Sequence, residues 1–538
     1  MVRKGKAHSA DEVEERRSTS GFVTGLHYDS PPPELDGRLP PPGEYPFTRG
    51  FTAIGYRDEP WVREMYAGFG SAEEANRRYH FLIENGASGG VSVALDLPTQ
   101  IGFDSDDPMA LGEVGRIGVA LDSYADIEQM FSGLDLARAG HVFSTANCIG
   151  PVMYAWILTY CRRHDVDPAV FDLQLQNDPI KEYVARGTHF LPIEASVRLA
   201  TDVMVYSAEH TPNWLPISVS GSHIKQAGAS PMQEAAFTLA NGLTYLDVAR
   251  GKGLNVADFH PSLEFHFCTD MDFFEEIAKY RAVRRVWSEI ARSHYGVPDE
   301  KLEFRLHAAT SGLPLTAQQP LNNISRITLQ ALAQVLGGVA ATRTASWDEA
   351  LGIPTEAAAK TSLRINQIMA YETGIPDATD PLGGSYYVEH LTDQMARAVR
   401  GEIDKIVGMG GAISAVKSGY YSDTLAAGAY QQQRDLDDGK RSVIGINRWA
   451  EPEPAPHPRF TQKDDPERRQ LGRLRAARAS REESNVRKAL GSVRDACAST
   501  DNVIPSVLEA AAAGATIGEI CRVWRETFGE YREMRMVI

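Results

Sequence analysis

From about residue 50 the chain alternates short β-branched runs with longer stretches of helical period. The short runs are GVSVALDL (90–97), HVFSTA (141–146), DLQLQ (172–176), PISVSG (216–221), LEFHF (263–267), FRLHAA (304–309) and GVAATRTA (338–345). Between them lie segments such as PMQEAAFTLANGLTYLDVARGKG and DFFEEIAKYRAVRRVWSEIARSHYG, apolar at helical spacing. Strands that recur with helices between them predict βα units and a parallel sheet. Seven such units, with an eighth candidate near 376–388, predict an α/β fold, a closed (β/α)8 TIM barrel over residues 49–451.

The flanks read differently. Residues 1–20 are polar and predict a mobile tail, and the proline-rich stretch 30–46 predicts an extended arm, so 1–48 forms an N-terminal tail and arm. PEPAPHPRFTQKDDPERR (452–469) predicts a linker. Beyond it, 470–538 carries amphipathic periods and predicts a C-terminal helical appendage.

Composition narrows the function. There are 55 Lys and Arg against 71 Asp and Glu, a net charge of −16, which argues against a protein whose main task is neutralising nucleic-acid phosphates or anionic lipid. No apolar run approaches the ~20 residues of a membrane span, and the polar N-terminus lacks the core of a secretory signal. Five widely spaced cysteines fit neither a disulfide framework nor a CxxC metal site. The expectation is a cytoplasmic protein acting on something small.

Gly86-Ala87-Ser88-Gly89-Gly90 matches GxSxG, but a helical segment precedes it and a strand follows, so it predicts a helix-to-strand turn rather than a nucleophile elbow. The Gly408–Gly411 cluster predicts a helix end, and Arg468, Arg469, Arg473, Arg475 and Arg478 a solvated helix face. Polar residues at strand ends carry more. Gln174, Gln176 and Asn177 close one strand, Ser220, Ser222 and His223 another, and His307 a third. In a barrel these positions face the reaction volume. His223, on a turn directly after a strand, suits a hydrogen-bond donor to a carbonyl oxygen.

At these residues the sequence resembles the large, catalytic subunit of the adenosylcobalamin-dependent acyl-CoA mutases, the methylmalonyl-CoA mutase family. The resemblance runs through PGEYPFTRG (42–50), YAGFG (66–70), DLPTQIGFDSD (96–106), LQNDPIKEYVARGTHF (175–190), SVSGSHIKQAGA (218–229), LTAQQPLNN (315–323), WDEALGIPTE (347–356), DPLGGSYYVE (380–389) and FGEYRE (528–533). It implies a radical 1,2-migration of a thioester group, most simply methylmalonyl-CoA to succinyl-CoA, in a barrel that encloses the acyl group and threads CoA along its axis.

Carried over by position, the resemblance implies that His223 bonds the thioester carbonyl, Gln176 lines the substrate pocket, and Tyr66 wedges between substrate and cofactor. Arg186 is expected to pair with a free carboxylate, Gln174, Ser222 and Ser92 to line the substrate site, and Glu349 and Gln318 to lie beside the adenosyl group. Isobutyryl-type relatives place Phe and Gln at the positions of Tyr66 and Arg186, and 2-hydroxyisobutyryl types place Ile and Asp at Tyr66 and Ala94. The pair kept here implies a dicarboxylic acyl group. The chain also departs from the family. Glu59, Asn213, Ser262 and Glu64 stand where basic residues are expected, Gln174 and Ser222 where a threonine and a tyrosine are, and Ala345 where an asparagine is. The basic residues lie along the acyl-CoA site, so their loss is a poor way to hold an anionic CoA tail. Asp258-Phe259-His260 begins a cobalamin motif, DxHxxG, but Leu263 stands at its glycine, so it reads as loop. No complete copy occurs, and the expected arrangement is a separate small subunit bringing adenosylcobalamin, in a heterotetramer. Two alternatives remain: the same chemistry on another branched acyl thioester or a non-CoA carrier, and a non-catalytic scaffold homologue.

Overall fold

The computed structural model describes residues 16–24, 32, 39–65, 67–452 and 465–532. Among the described residues ten strands form: β1 (Arg16–Arg17), β2 (Val23–Thr24), β3 (Val62–Glu64), β4 (Val91–Val93), β5 (His141–Ser144), β6 (Asp172–Leu175), β7 (Ile217–Ser220), β8 (Leu263–Thr269), β9 (Arg305–Thr310) and β10 (Ala341–Arg343). All seven β-branched runs are strands, β4 to β10. The eighth candidate is not: 376–388 holds a 3-10 turn ending at Asp377 and the start of the helix Tyr386–Gly408. The eighth parallel strand is β3, whose three residues include two charged ones. That run is too short and too polar to declare itself in the hydrophobic pattern.

The strands build two parallel sheets, one ordered β3-β10-β9-β8-β7 and one ordered β4-β5-β6. Single parallel bridges lie between their edges. Ala67 pairs with Val93 beyond β3, and Leu215, just before β7, pairs with Gln174. Leu215 N donates to Leu173 O at 2.7 Å, and Ala94 N donates to Ala67 O at 2.9 Å.

Helices cover the sheets and split the interior into two large apolar cores. One joins β4–β6 to the helices Ala72–Glu84 and Gly150–Arg163 and to the C-terminal helices. The other joins β7–β9 to Ile193–His210, Pro231–Gly251, Phe273–Tyr295 and Tyr386–Gly408. Local sequence sets the helix starts: Ser71 with Glu74, Ser230 with Gln233 and Thr516 with Glu519 form capping boxes. The expected glycine turn before β4 is present. Gly90 has φ +63°, and a Cβ there would lie 2.1 Å from His141 O, so only glycine fits. Gly408 ends a helix, as its composition predicts.

Several further expectations are corrected. The last part of the predicted mobile tail is ordered: β1 and β2 pair antiparallel, and Ser18 Oγ donates to Glu275 Oε1 at 2.8 Å. The arm's end packs rather than merely running over the surface, with Phe47 buried and stacked on Phe51 at 4.6 Å. The arginine cluster is not a solvated face throughout. Arg478 Nη2 donates to Asp104 at 2.8 Å, and Arg473 Nε donates to Asp126 at 3.0 Å, so the helix Pro466–Ser480 is docked through charge as well as apolar contact. That helix begins inside the predicted linker, most of which (453–464) lies outside the described residues. Asp258 and Phe259 belong to a short helix, Val256–Phe259, and buried His260 accepts from Trp287 Nε1 at 2.8 Å rather than sitting in a loop. All five cysteines are buried and free. Among the described residues no helix is long and apolar enough to cross a membrane.

Candidate active site

Some of the predicted residues lie at the carboxyl ends of the parallel strands. His223 lies in the short helix Ser222–Gln226 directly after β7, and Gln176 follows β6. After β6 the chain turns through a π-helical loop, Glu182–Arg186, closed by Gly187 N donating to Glu182 O at 2.8 Å. Such loops are rare and recur at functional sites. This one places Arg186 beside buried Glu182, 3.6 Å away, while Lys181 donates to the same carboxylate at 2.7 Å. Burial would raise the Glu182 carboxyl, but Lys181, Arg186 and His223 hold it down at about 2, so it is ionised.

Burial, helped by the charges of Lys181 and Arg186, pushes His223 well below the ordinary histidine range. It is therefore a neutral imidazole at neutral pH, with one N–H to give. Its Nδ1, Gln176 Oε1, Ser92 Oγ and His266 Nε2 are buried without a hydrogen-bond partner among the described residues. Buried polar atoms rarely stay unpaired, so each of these is a candidate to meet a polar ligand. Arg186 Nη1 donates to Gln100 Oε1 at 2.5 Å, and the rest of its planar fork can take a carboxylate.

Ser222 Oγ lies 2.6 Å from His266 Nδ1. Gln174 Nε2 donates to Glu264 and stands 3.1 Å from His307 Nδ1. Glu349 sits on the turn after β10, reachable from solvent yet crowded by protein. Desolvation, with Asp348 adding to it, raises its carboxyl to about 7. Gly312 faces it, and a Cβ there would come within 3.0 Å of Glu349 Oε1. Gln318 stands apart, exposed in the loop after β9, its carbonyl accepting from Thr316 Oγ1 at 2.8 Å. Tyr66 lies outside the described residues.

Sequence reading passed over Glu264, His266 and Arg343. The signal was present: along LEFHF the apolar residues alternate with Glu and His, a period of two that aims one set inward. Burial, with Glu64 nearby adding to it, pushes Glu264 up to about 8. Its proton is held more tightly in the folded chain, so between its ordinary 4.5 and about 8 the unfolded chain binds fewer protons and stability falls as pH rises. Glu264→Gln is therefore expected to raise stability at pH 8 by on the order of 3 kcal/mol and to leave it nearly unchanged at pH 4. Urea unfolding at the two pH values checks this, and equal shifts at both would refute it.

The sequence model of the methylmalonyl-CoA mutase family matches residues 29–530. Similar curated proteins include the 2-hydroxyisobutanoyl-CoA mutase large subunit of Aquincola tertiaricarbonis, 39% identical over 495 residues, which are 91% of this chain and 88% of that one. The methylmalonyl-CoA mutase of Rhizobium meliloti is 37% identical over 500 residues, 92% of this chain and 70% of the relative. That of Escherichia coli is 36% identical over 509 residues, 93% and 69%. Matches of this extent leave one conclusion: the chain belongs to the methylmalonyl-CoA mutase family, whose members are isomerases.

Proposed function

We propose that the chain is the catalytic subunit of a cobalamin-dependent carbon-skeleton mutase that moves the thioester group of a dicarboxylic acyl thioester, methylmalonyl-type to succinyl-type. The observation that carries this is that Arg186, 3.6 Å from buried Glu182, lies close enough to a neutral, buried His223 to help depress it, a carboxylate handle near a carbonyl donor. In this reading the two parallel sheets close as one (β/α)8 barrel through the Ala67–Val93 and Gln174–Leu215 bridges, with domain limits at residues 49 and 451.

Arg186 holds the free carboxylate and fixes the orientation of the acyl group. His223 gives its N–H to the thioester carbonyl oxygen, where negative charge grows as the group migrates. Gln176 Oε1 and Ser92 Oγ, left unpaired by the protein, complete the polar wall. Adenosylcobalamin, when bound, supplies the carbon radical that starts the rearrangement. Glu349, poised to accept or donate near pH 7, and Gln318 would lie at its ribose, and Tyr66 would separate it from the substrate. The burial of the polar wall keeps water from reactive carbon. One relative is named a large subunit, and by analogy a small, cobalamin-binding partner completes this enzyme in the cytoplasm, as a heterotetramer. Buried Ala94 offers no polar group for a 2-hydroxyl, which favours the dicarboxylic substrate.

The test is turnover by the chain with its small subunit and adenosylcobalamin on a panel of acyl-CoA esters and matching pantetheine thioesters, read by mass spectrometry of the products. A rearranged dicarboxylic product is expected. No turnover of any thioester would make the chain a scaffold homologue. Arg186→Gln is expected to lower kcat/KM for the dicarboxylic substrate about 10- to 100-fold, since a charged hydrogen bond contributes ~1.5–3 kcal/mol. Unchanged kinetics would remove its assigned role.

A further inference from the structure

We infer that the C-terminal helix Ile517–Phe528 serves the substrate site: its Arg525 is a positioning residue that ties together the two loops carrying Gln100 and Arg186, and so aims the guanidinium that takes the free carboxylate of the acyl group. This deepens the mutase reading and rests on it.

Arg186 needs outside support. Its side chain is 28% exposed, and an arginine this open keeps much of its rotamer freedom unless something bonds it. Two contacts direct it. Glu182, on its own loop after β6, lies 3.6 Å away, and Gln100 Oε1 accepts from its Nη1 at 2.5 Å. Gln100 is buried and closes the short helix Leu97–Gln100, on the loop after β4. Its Nε2 donates to Leu95 O at 2.6 Å, so the amide is held at both ends. The direction of Arg186 therefore depends on how the loop after β4 sits against the loop after β6.

Arg525 joins those loops. Its Nη1 donates to Gly102 O at 3.0 Å and its Nη2 to Ile101 O at 2.5 Å, on the residues directly after Gln100. The same guanidinium lies 4.2 Å from the centre of the Phe103 ring and 4.4 Å from that of Phe190, which follows Arg186 on the second loop. A planar cation can bond two carbonyls and meet two rings at once, which a compact ammonium cannot. Glu530 lies 3.8 Å from its Nε but is exposed to solvent, so it adds little.

The surroundings reinforce the clip. Thr516 Oγ1 and Gly518 N each donate to Asp104 at 2.7 Å, and a Cβ on Gly102 would lie 2.4 Å from Cys521 Sγ, so helix and first loop meet without a gap. Against the second loop, Tyr531 N donates to Phe190 O at 3.0 Å, and its ring meets that of His189 edge-on, centroids 4.3 Å apart. His189 Nδ1 in turn lies 3.2 Å from Glu182 O. The helix is already docked by its buried face, Ile517, Ile520, Val523 and Trp524, so the reach of Arg525 to both loops is additional to packing.

The experiment is calorimetric titration of the full-length chain with succinyl-CoA and with butyryl-CoA, which carries a methyl group in place of the carboxylate, with folding checked by circular dichroism. The wild type is expected to bind succinyl-CoA about tenfold more tightly, the least that a charged hydrogen bond contributes. Arg525→Met is expected to lose about fivefold in affinity for succinyl-CoA and less than about twofold for butyryl-CoA, with Arg525→Lys between it and the wild type. An equal loss for both esters would assign Arg525 to the fold alone, and no loss for either would free the handle from it; each overturns the inference. Should Arg525→Met fail to fold, Gln100→Leu cuts the same link from the loop side, and retention of full selectivity by that variant overturns the inference too. A wild type that binds the two esters alike, or binds neither, brings down the dicarboxylic reading and this inference with it.

Discussion

With His223 replaced by Ala, turnover is expected to fall about 100- to 1,000-fold while the fold stays intact. The magnitude is what loss of one donor to a developing oxyanion costs in other enzymes. In the proposed mechanism a histidine serves here, and burial explains why it would serve uncharged. The Lys181, Glu182 and Arg186 cluster already supplies cations, and burial next to them strips the imidazole of its extra proton. A neutral donor stabilises charge that appears at the carbonyl oxygen without surrendering a proton to it. Two further readouts follow. KM should change far less than kcat, because the bond strengthens as the group migrates. The wild-type rate should show no histidine limb near pH 6.5, since His223 stays neutral through that range. Loss of activity that matches loss of helical circular dichroism would assign the residue a structural role instead, as would recovery by any small side chain.

Lys279→Met is expected to destabilise the fold by about 3–5 kcal/mol, the usual result of removing one partner from a buried ion cluster. Lys279 is fully buried on the helix Phe273–Tyr295 and donates to Glu234 Oε2 at 2.7 Å and to Cys268 O at 2.6 Å, with Glu276 at 2.5 Å. Glu234 in turn accepts from Cys268 N at 2.6 Å. The cluster thus clamps the end of β8, two residues past His266, to two helices. Burial alone would depress the lysine, but Glu234 and Glu276 outweigh it and keep it charged. With methionine in its place, two carboxyls stay in the interior without a cation. Denaturant unfolding measures the loss, and Lys279→Met/Glu234→Leu/Glu276→Leu should recover part of it by removing the stranded charges. A Lys279→Met protein as stable as the wild type would contradict this account.

Much of this molecule is legible in one dimension. Runs such as HVFSTA and LEFHF announce strands because a β-branched, apolar run must be buried on both faces of a parallel sheet. The Gly90 turn is legible because nothing larger fits, and the strand-end residues Gln176 and His223 because polar groups there need a use. Val62–Glu64 was not legible as a strand. Glu64 is tolerated inside only because Arg343, 279 residues away in sequence, meets it. The docked arginines Arg473 and Arg478 belong with it, since their partners Asp126 and Asp104 lie far back in the chain. Periodicity and residue type therefore determined the seven strands β4 to β10 and the parallel sheets. Pairing across the interior determined the rest: which charges are neutralised, that His223 is uncharged, and that Gln174 meets Glu264 and His307 while Glu64 meets Arg343. The reason is physical. Hydrophobic period is a property of neighbours along the chain, whereas burial and charge compensation are properties of neighbours in space.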